Sequence, residues 1–145
     1  VVTTETKFSN KPILQIVKYG KCGEGCSFIA YTNGTMIISG SGVMTEYETS
    51  SARPWESSKG VVKEIIIYSG ITTLGKNCIT DFPEATKIII PEGISGIGAN
   101  TFSSMPKITT VEYYGTTIPT WASGETVLFA ESTTVTFGIT LPTLK

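Results

Sequence analysis

The sequence predicts a mainly β repeat solenoid, about 23 residues per repeat with at most short helical turns, preceded by a β-rich N-terminal segment. Three observations carry that prediction. First, Ile65-Ile66-Ile67-Tyr68-Ser69-Gly70-Ile71-Thr72-Thr73-Leu74-Gly75 returns as Ile88-Ile89-Ile90-Pro91-Glu92-Gly93-Ile94-Ser95-Gly96-Ile97-Gly98, a shift of 23 positions. A third copy opens at Val111-Glu112-Tyr113-Tyr114, another 23 on from Ile88. Self-similarity at such a period marks units that bury their apolar faces only by stacking on their neighbours. Second, each copy carries a short run whose alternate side chains fall on opposite faces, as in a strand. Third, 40% apolar and only 16% charged residues suit a folded, β-rich chain of 145 residues, long enough for one core.

Along the chain, residues 1 to about 20 read as extended, with the apolar run Ile13-Leu14-Gln15-Ile16-Val17 after Pro12 and a break at Gly20. Cys22 to Gly25 reads as a loop. Phe28-Ile29-Ala30-Tyr31 and Thr35-Met36-Ile37-Ile38-Ser39 flank Thr32-Asn33-Gly34, and Asn-Gly is the strongest short signal for a hairpin. Gly40-Ser41-Gly42 ends the second strand. Residues 46–59 form a long loop or a single short helical turn, with Trp55 as the anchor to the core. Two segments follow from this pass: an N-terminal β segment at 1–60, and the repeats at 61–145 with a degenerate last unit, joined in one continuous structural unit.

Within the repeats, Ile65/Ile67, Ile88/Ile90 and Val111/Tyr113 are assigned inward as three core rungs. The outward column is then Glu64/Ile66/Tyr68, Lys87/Ile89/Pro91 and Thr110/Glu112/Tyr114. Gly70, Gly93, Gly75 and Gly98 fall at corners, where left-handed backbone costs a glycine little. Leu74/Ile97 and Ile79/Phe102 fill matching inward slots, and 76–82 and 99–105 have room for one helical turn each. Thr133 to Pro142 echoes Thr109 to Pro119 with a weakened pattern, as terminal repeats do.

Composition removes several functions. There is no His, one Asp (Asp81) and one Arg (Arg53), so imidazole triads and most zinc sites are unavailable. The eleven Glu are scattered outside any motif, which leaves no catalytic pair to name and implies a non-enzyme without cofactor or metal. A net charge of −1 supplies no basic stripe for nucleic acid, and no stretch approaches the ~20 apolar residues of a helical membrane span.

Cys22-Gly23-Glu24-Gly25-Cys26 is not the C-x-x-C of redox or zinc sites. In an oxidising compartment it predicts a local disulfide between Cys22 and Cys26, with Cys78 as a packed thiol; pairing of Cys78 with either of the others, or with another chain, stays open. Asn33-Gly34-Thr35 is an N-glycosylation sequon on the predicted turn. With the Val1-Val2-Thr3-Thr4 start, these features point to an extracellular or cell-surface protein read as a mature product or an excised piece.

The pattern G-I-x-x-[LI]-G-x-x-x-[IF] at Gly70 to Ile79 and Gly93 to Phe102, each preceded by an apolar strand, resembles the BspA-like leucine-rich repeats of surface proteins. The strands at Ile88 and at Val111-Glu112-Tyr113-Tyr114-Gly115 carry the same likeness. Gly20 to Gly23, Gly34 to Met44 and Arg53-Pro54-Trp55 look like the cap that often precedes such repeats. Cys78 and Thr101 depart from it in a slot that is usually Ala, and the final repeat lacks the Ile-Gly corner. The resemblance implies a leucine-rich-repeat fold and an adhesion role without catalytic apparatus. Repeat stacks usually bind through the outward ladder of their strand face, which here is Glu64, Ile66, Tyr68, Lys87, Ile89, Glu112 and Tyr114. That face would meet a protein or glycan ligand on another cell or matrix. The alternative is a homopolymer, a fibre or surface layer built through strand edges and terminal segments.

Overall fold

A computed structural model describes residues 15–115, 120, 121 and 134–137, and these residues are almost wholly strand, turn and loop. The strands are β1 (Ile16–Lys21), β2 (Cys26–Tyr31), β3 (Thr35–Gly40), β4 (Gly42–Val43), β5 (Glu64–Ile67) and β6 (Ile71–Leu74). They continue as β7 (Lys87–Ile90), β8 (Gly96–Ile97), β9 (Thr110–Tyr113), β10 (Thr120–Trp121) and β11 (Thr134–Phe137). They form a seven-stranded sheet ordered β1-β2-β3-β5-β7-β9-β11 and a four-stranded sheet ordered β10-β8-β6-β4. The expected runs before Gln15 and most of those after Gly115 lie outside the described residues.

The repeat governs the register. β5 pairs parallel with β7 as Ile65↔Ile88 and Ile66↔Ile89, and β7 with β9 as Ile88↔Val111 and Ile89↔Glu112, so each 23-residue step is one strand step. The degenerate last copy keeps its place, with Val135 beside Val111. All six predicted inward rung residues are buried. β6 and β8 repeat the arrangement on the second sheet, placing Leu74 beside Ile97. Between the strands, hydroxyls double the ladder: Thr86 donates through both its backbone N–H and its Oγ1 to the Lys63 carbonyl, and Thr109 does the same to the Thr86 carbonyl.

The stack begins earlier than the refrain does. β3 runs parallel to β5, pairing Met36 with Ile65 and Ile37 with Ile66, while β4 pairs with β6. β3 and β4 are thus a further rung of the same two sheets. The predicted Asn33-Gly34 turn joins β2 to β3, and β1 and β2 extend the larger sheet in antiparallel fashion.

The connection between β4 and β5 contains two 3₁₀ turns, Ser50–Ala52 and Glu56–Ser58, in place of a plain loop or a single turn. Trp55 within it is fully buried. Its ring meets Phe28 edge-on at 5.1 Å and Tyr47 at 6.1 Å, and stacks on Phe82 at 6.5 Å. Arg53 enters the same pocket: Nη1 donates to the carbonyls of Cys78 and Thr80, and Nη2 reaches Glu56 Oε1 at 3.0 Å. The guanidinium lies 5.0 Å from the Phe82 ring centre.

Three expectations need correction. Segments 76–82 and 99–105 contain no helical turn; Asn77, Asp81, Asn100, Phe102 and Ser104 have φ between 54° and 67°, which breaks helical propagation. Asn77 turns this geometry to use, since its carboxamide donates to the carbonyls of Tyr47 (2.8 Å) and Glu48 (3.1 Å). Gly75 and Gly98 are required for close approach rather than left-handed backbone: an added Cβ would sit 2.6 Å from the Thr45 carbonyl oxygen at Gly75 and 2.5 Å from the Lys76 backbone nitrogen at Gly98. Pro91, assigned outward, is buried.

Candidate functional site

The outward face of the large sheet carries the predicted ladder. Glu64 and Ile66 on β5, Lys87 and Ile89 on β7 and Glu112 on β9 alternate with buried neighbours and are half-buried themselves. Tyr68 and Tyr114, one residue past their strands, are 48% and 49% exposed, so both rings stand free of the core. Their N–H groups still bond the preceding rungs, at Ile38 and Ile90 respectively, which fixes their height on the sheet. With two strand steps between them, the two tyrosines stand about 9.6 Å apart.

The apolar part of this face is longer than the sequence suggested. Strand pairing aligns Tyr19 with Ile29, Ile29 with Ile37, Ile37 with Ile66 and Ile66 with Ile89. Four isoleucines therefore form one continuous row, each half-buried, and Tyr19 ends it at 72% exposure. Five adjacent strands separate its ends by about 19 Å. Ile29, Ile37 and Tyr19 were missed because their register with the refrain depends on the Trp55 connection. That insertion makes the spacing from Ile37 to Ile66 29 residues instead of 23. The alternation within the predicted hairpin was the one available signal.

At the other end the row turns polar, where Glu112 replaces isoleucine. Its Oε2 pairs with Lys87 Nζ at 3.0 Å, and its Oε1 accepts from the Tyr114 hydroxyl at 2.6 Å. The Tyr114 bond, followed by the bond to Lys87, holds the Glu112 carboxyl below the usual range. Glu112 in turn raises Lys87 and Tyr114, chiefly through the same two hydrogen bonds. This network holds one tyrosine ring in a defined orientation beside the isoleucine row. A rigid apolar strip with exposed phenols at its margins can bury apolar surface against a partner and offer polar atoms at the rim.

The cysteines stand elsewhere. Cys22, Cys26 and Cys78 are free thiols, all buried in the core, rather than a Cys22–Cys26 bridge and one thiol. Cys22 and Cys26 close the β1–β2 hairpin, with the Cys22 N–H on the Cys26 carbonyl at 3.0 Å. The Cys26 sulfur faces the carbonyls of Ser41 and Val43, each at 3.5 Å. Burial pushes the Cys22 and Cys78 thiols up to about 12. Asn33 is exposed on the β2–β3 turn. Among the described residues no three His, Cys, Asp or Glu gather as metal ligands, and no helix is long and apolar enough to cross a membrane.

No family profile and no curated protein matches the sequence. Among solved structures the chain is similar to a leucine-rich repeat protein from Eubacterium ventriosum, at 16% sequence identity with a TM-score of 0.60. The likeness covers 81% of this chain and 39% of that protein, so this chain matches about two fifths of its length. The mainly β architecture is therefore a leucine-rich-repeat fold.

Proposed function

We propose that this chain is a non-enzymatic, secreted or cell-surface binding module of the BspA-like type. In this reading it is a short solenoid with residues 1–60 as its N-terminal cap, and it recognises a protein on another cell or matrix. The observation that carries the reading is the continuous outward row of Tyr19, Ile29, Ile37, Ile66 and Ile89. Such a row on a repeat stack supplies an apolar strip that a partner can desolvate, and Tyr68 and Tyr114 supply the aromatic rim that protein interfaces favour. A glycan ligand would use the tyrosine faces and the Lys87–Glu112 pair instead. The absence of His from the sequence supports a role without catalysis.

The polymer reading ranks below this one. β1 is an edge of the large sheet among the described residues, and a growing fibre would use it. However, β1 carries a register irregularity between Ile16 and Lys18, and both Lys18 and Lys21 are exposed. Bulges and lysines are devices that discourage edge pairing.

The test compares wild type with the Ile66→Lys/Ile89→Lys double variant, displayed on beads against mammalian cell layers and matrix protein. Both side chains are outward, so the fold should survive, as an unchanged far-ultraviolet spectrum and melting temperature would show. Bead retention is expected to fall at least about tenfold, because two charges would be buried at the centre of a contact. Equal retention by a folded double variant rules out this face. Concentration-dependent sedimentation of wild type would shift the reading to self-assembly.

A further inference from the structure

We propose that Asn33 is the acceptor of an N-linked glycan, transferred from a lipid-diphosphate-linked oligosaccharide. Asn33-Gly34-Thr35 is the single N-x-[ST] sequence in the chain, and the structure places it where transfer and retention of a sugar are both feasible. Asn33 and its neighbour Thr32 are exposed at the end of the β2–β3 hairpin.

The backbone beneath Asn33 is tied down. The Gly34 N–H bonds the Tyr31 carbonyl at 3.0 Å, and the Gly34 carbonyl accepts from Lys63 at 2.6 Å and from Glu64 at 3.1 Å. Gly34 has φ +95°, and a Cβ there would press on the Lys63 stem at 3.0 Å. The middle residue of the sequon is thus buried against the next strand while the acceptor faces outward.

The carboxamide itself is oriented. Asn33 Oδ1 accepts from the Thr35 N–H at 2.9 Å, closing an Asx turn within the sequon. Only the oxygen can accept that bond, so the amide nitrogen takes the opposite, open side of the planar group. That nitrogen has no hydrogen-bond partner among the described residues. In the transfer, this nitrogen attacks the anomeric carbon of the donor sugar. The new C–N bond forms as the C–O bond to the diphosphate breaks, the lipid diphosphate leaves, and one amide proton passes to the transferase base. No oxidant or reductant is involved.

A glycan here would stand at a corner of the outward face and leave its centre open. Thr35 heads the row Thr35–Glu64–Lys87–Thr110, whereas Ile37 lies two residues further along β3, about 6.8 Å away. The sugar would border the isoleucine row without covering it.

The test is expression of the full chain behind an added leader in a eukaryotic host, with intact mass measured before and after peptide:N-glycosidase. Secreted and cell-retained fractions are both measured. The expected result is one glycan's mass above the polypeptide, removed by the glycosidase with conversion of Asn33 to Asp in the corresponding peptide. Thr35→Ser should keep the glycan and Thr35→Ala should lose it. The Ala variant retains the backbone N–H that closes the Asx turn, so its melting temperature should match that of an unglycosylated control. Recovery of wild type at bare polypeptide mass in both fractions overturns the proposal, as does a glycan that persists in Thr35→Ala.

Discussion

Replacing Arg53 with Ala is expected to loosen the join between the first rung and the repeats. The side chain is fully buried, and its guanidinium is committed to the carbonyls of Cys78 and Thr80, to Glu56, and to the Phe82 face. Truncation would strand two carbonyls that belong to the turn after β6. An unsatisfied buried polar group costs ~1–3 kcal/mol, so the pair alone accounts for ~2–6 kcal/mol. Water entering the vacated space would recover part of that, while the lost contact over Phe82 adds to it. A net loss of ~4 kcal/mol is the working figure, close to the ~3–5 kcal/mol seen when one partner of a buried charged network is removed. For a chain of this size it corresponds to a fall in melting temperature of about 15 °C. Urea unfolding followed by Trp fluorescence measures it, because Trp55 lies in the same pocket, its ring 5.8 Å from the Arg53 guanidinium carbon. Arg53→Lys should fall between Ala and wild type, since one ammonium cannot reproduce the fork. A loss below about 1 kcal/mol in Arg53→Ala would refute the assignment of Arg53 as the pin of this connection.

Two further outcomes follow from the titratable groups. The Glu112 pKa is depressed in the folded chain, so its stabilisation is present above the ordinary carboxylate pKa and is lost as pH falls through the lower folded value. Lys87 and Tyr114 are raised, so their contributions are complete below their ordinary values and fade as pH rises through the raised ones. Glu112→Gln should flatten both the acid and the alkaline limb of the stability profile; an unchanged profile would show that the network does not hold in solution. The three buried thiols should react slowly with Ellman's reagent at pH 8 in the native chain and yield three equivalents in denaturant. A single equivalent in denaturant would instead establish a disulfide.

How much of this was legible in the sequence depends on how local each determinant is. The inward rungs were read correctly because period-2 alternation and the 23-residue shift both constrain Ile65, Ile88 and Val111. Membership of β3 and β4 in the stack was hidden, because no local rule predicts that the segment between Val43 and Lys63 folds away to let Ile37 meet Ile66. Trp55 was legible as an anchor, but its ring partners Phe28, Tyr47 and Phe82 come from three separate stretches of chain. The turns at 76–82 and 99–105 misled for a different reason. Asn77 and Asn100 tolerate left-handed backbone, and Asn77 secures it with bonds to carbonyls about thirty residues away, which helical spacing cannot reveal.

The isoleucine triplets explain how one strand serves both the core and the outward face. Three consecutive isoleucines, taken without the repeat, are the pattern of a strand buried on both faces. In Ile65-Ile66-Ile67 and Ile88-Ile89-Ile90, however, only the outer pair is buried and the middle residue is half-exposed. The next rung keeps apolar residues at the inner positions, Val111 and Tyr113, and changes the middle one to Glu112. Because adjacent strand positions face opposite ways, the middle position can change from isoleucine to glutamate while the inner ladder stays apolar. The change also brings in the Lys87 and Tyr114 partners that turn the row from apolar to polar. The chemistry of the outward face is therefore set rung by rung, on a core that the 23-residue repeat holds constant.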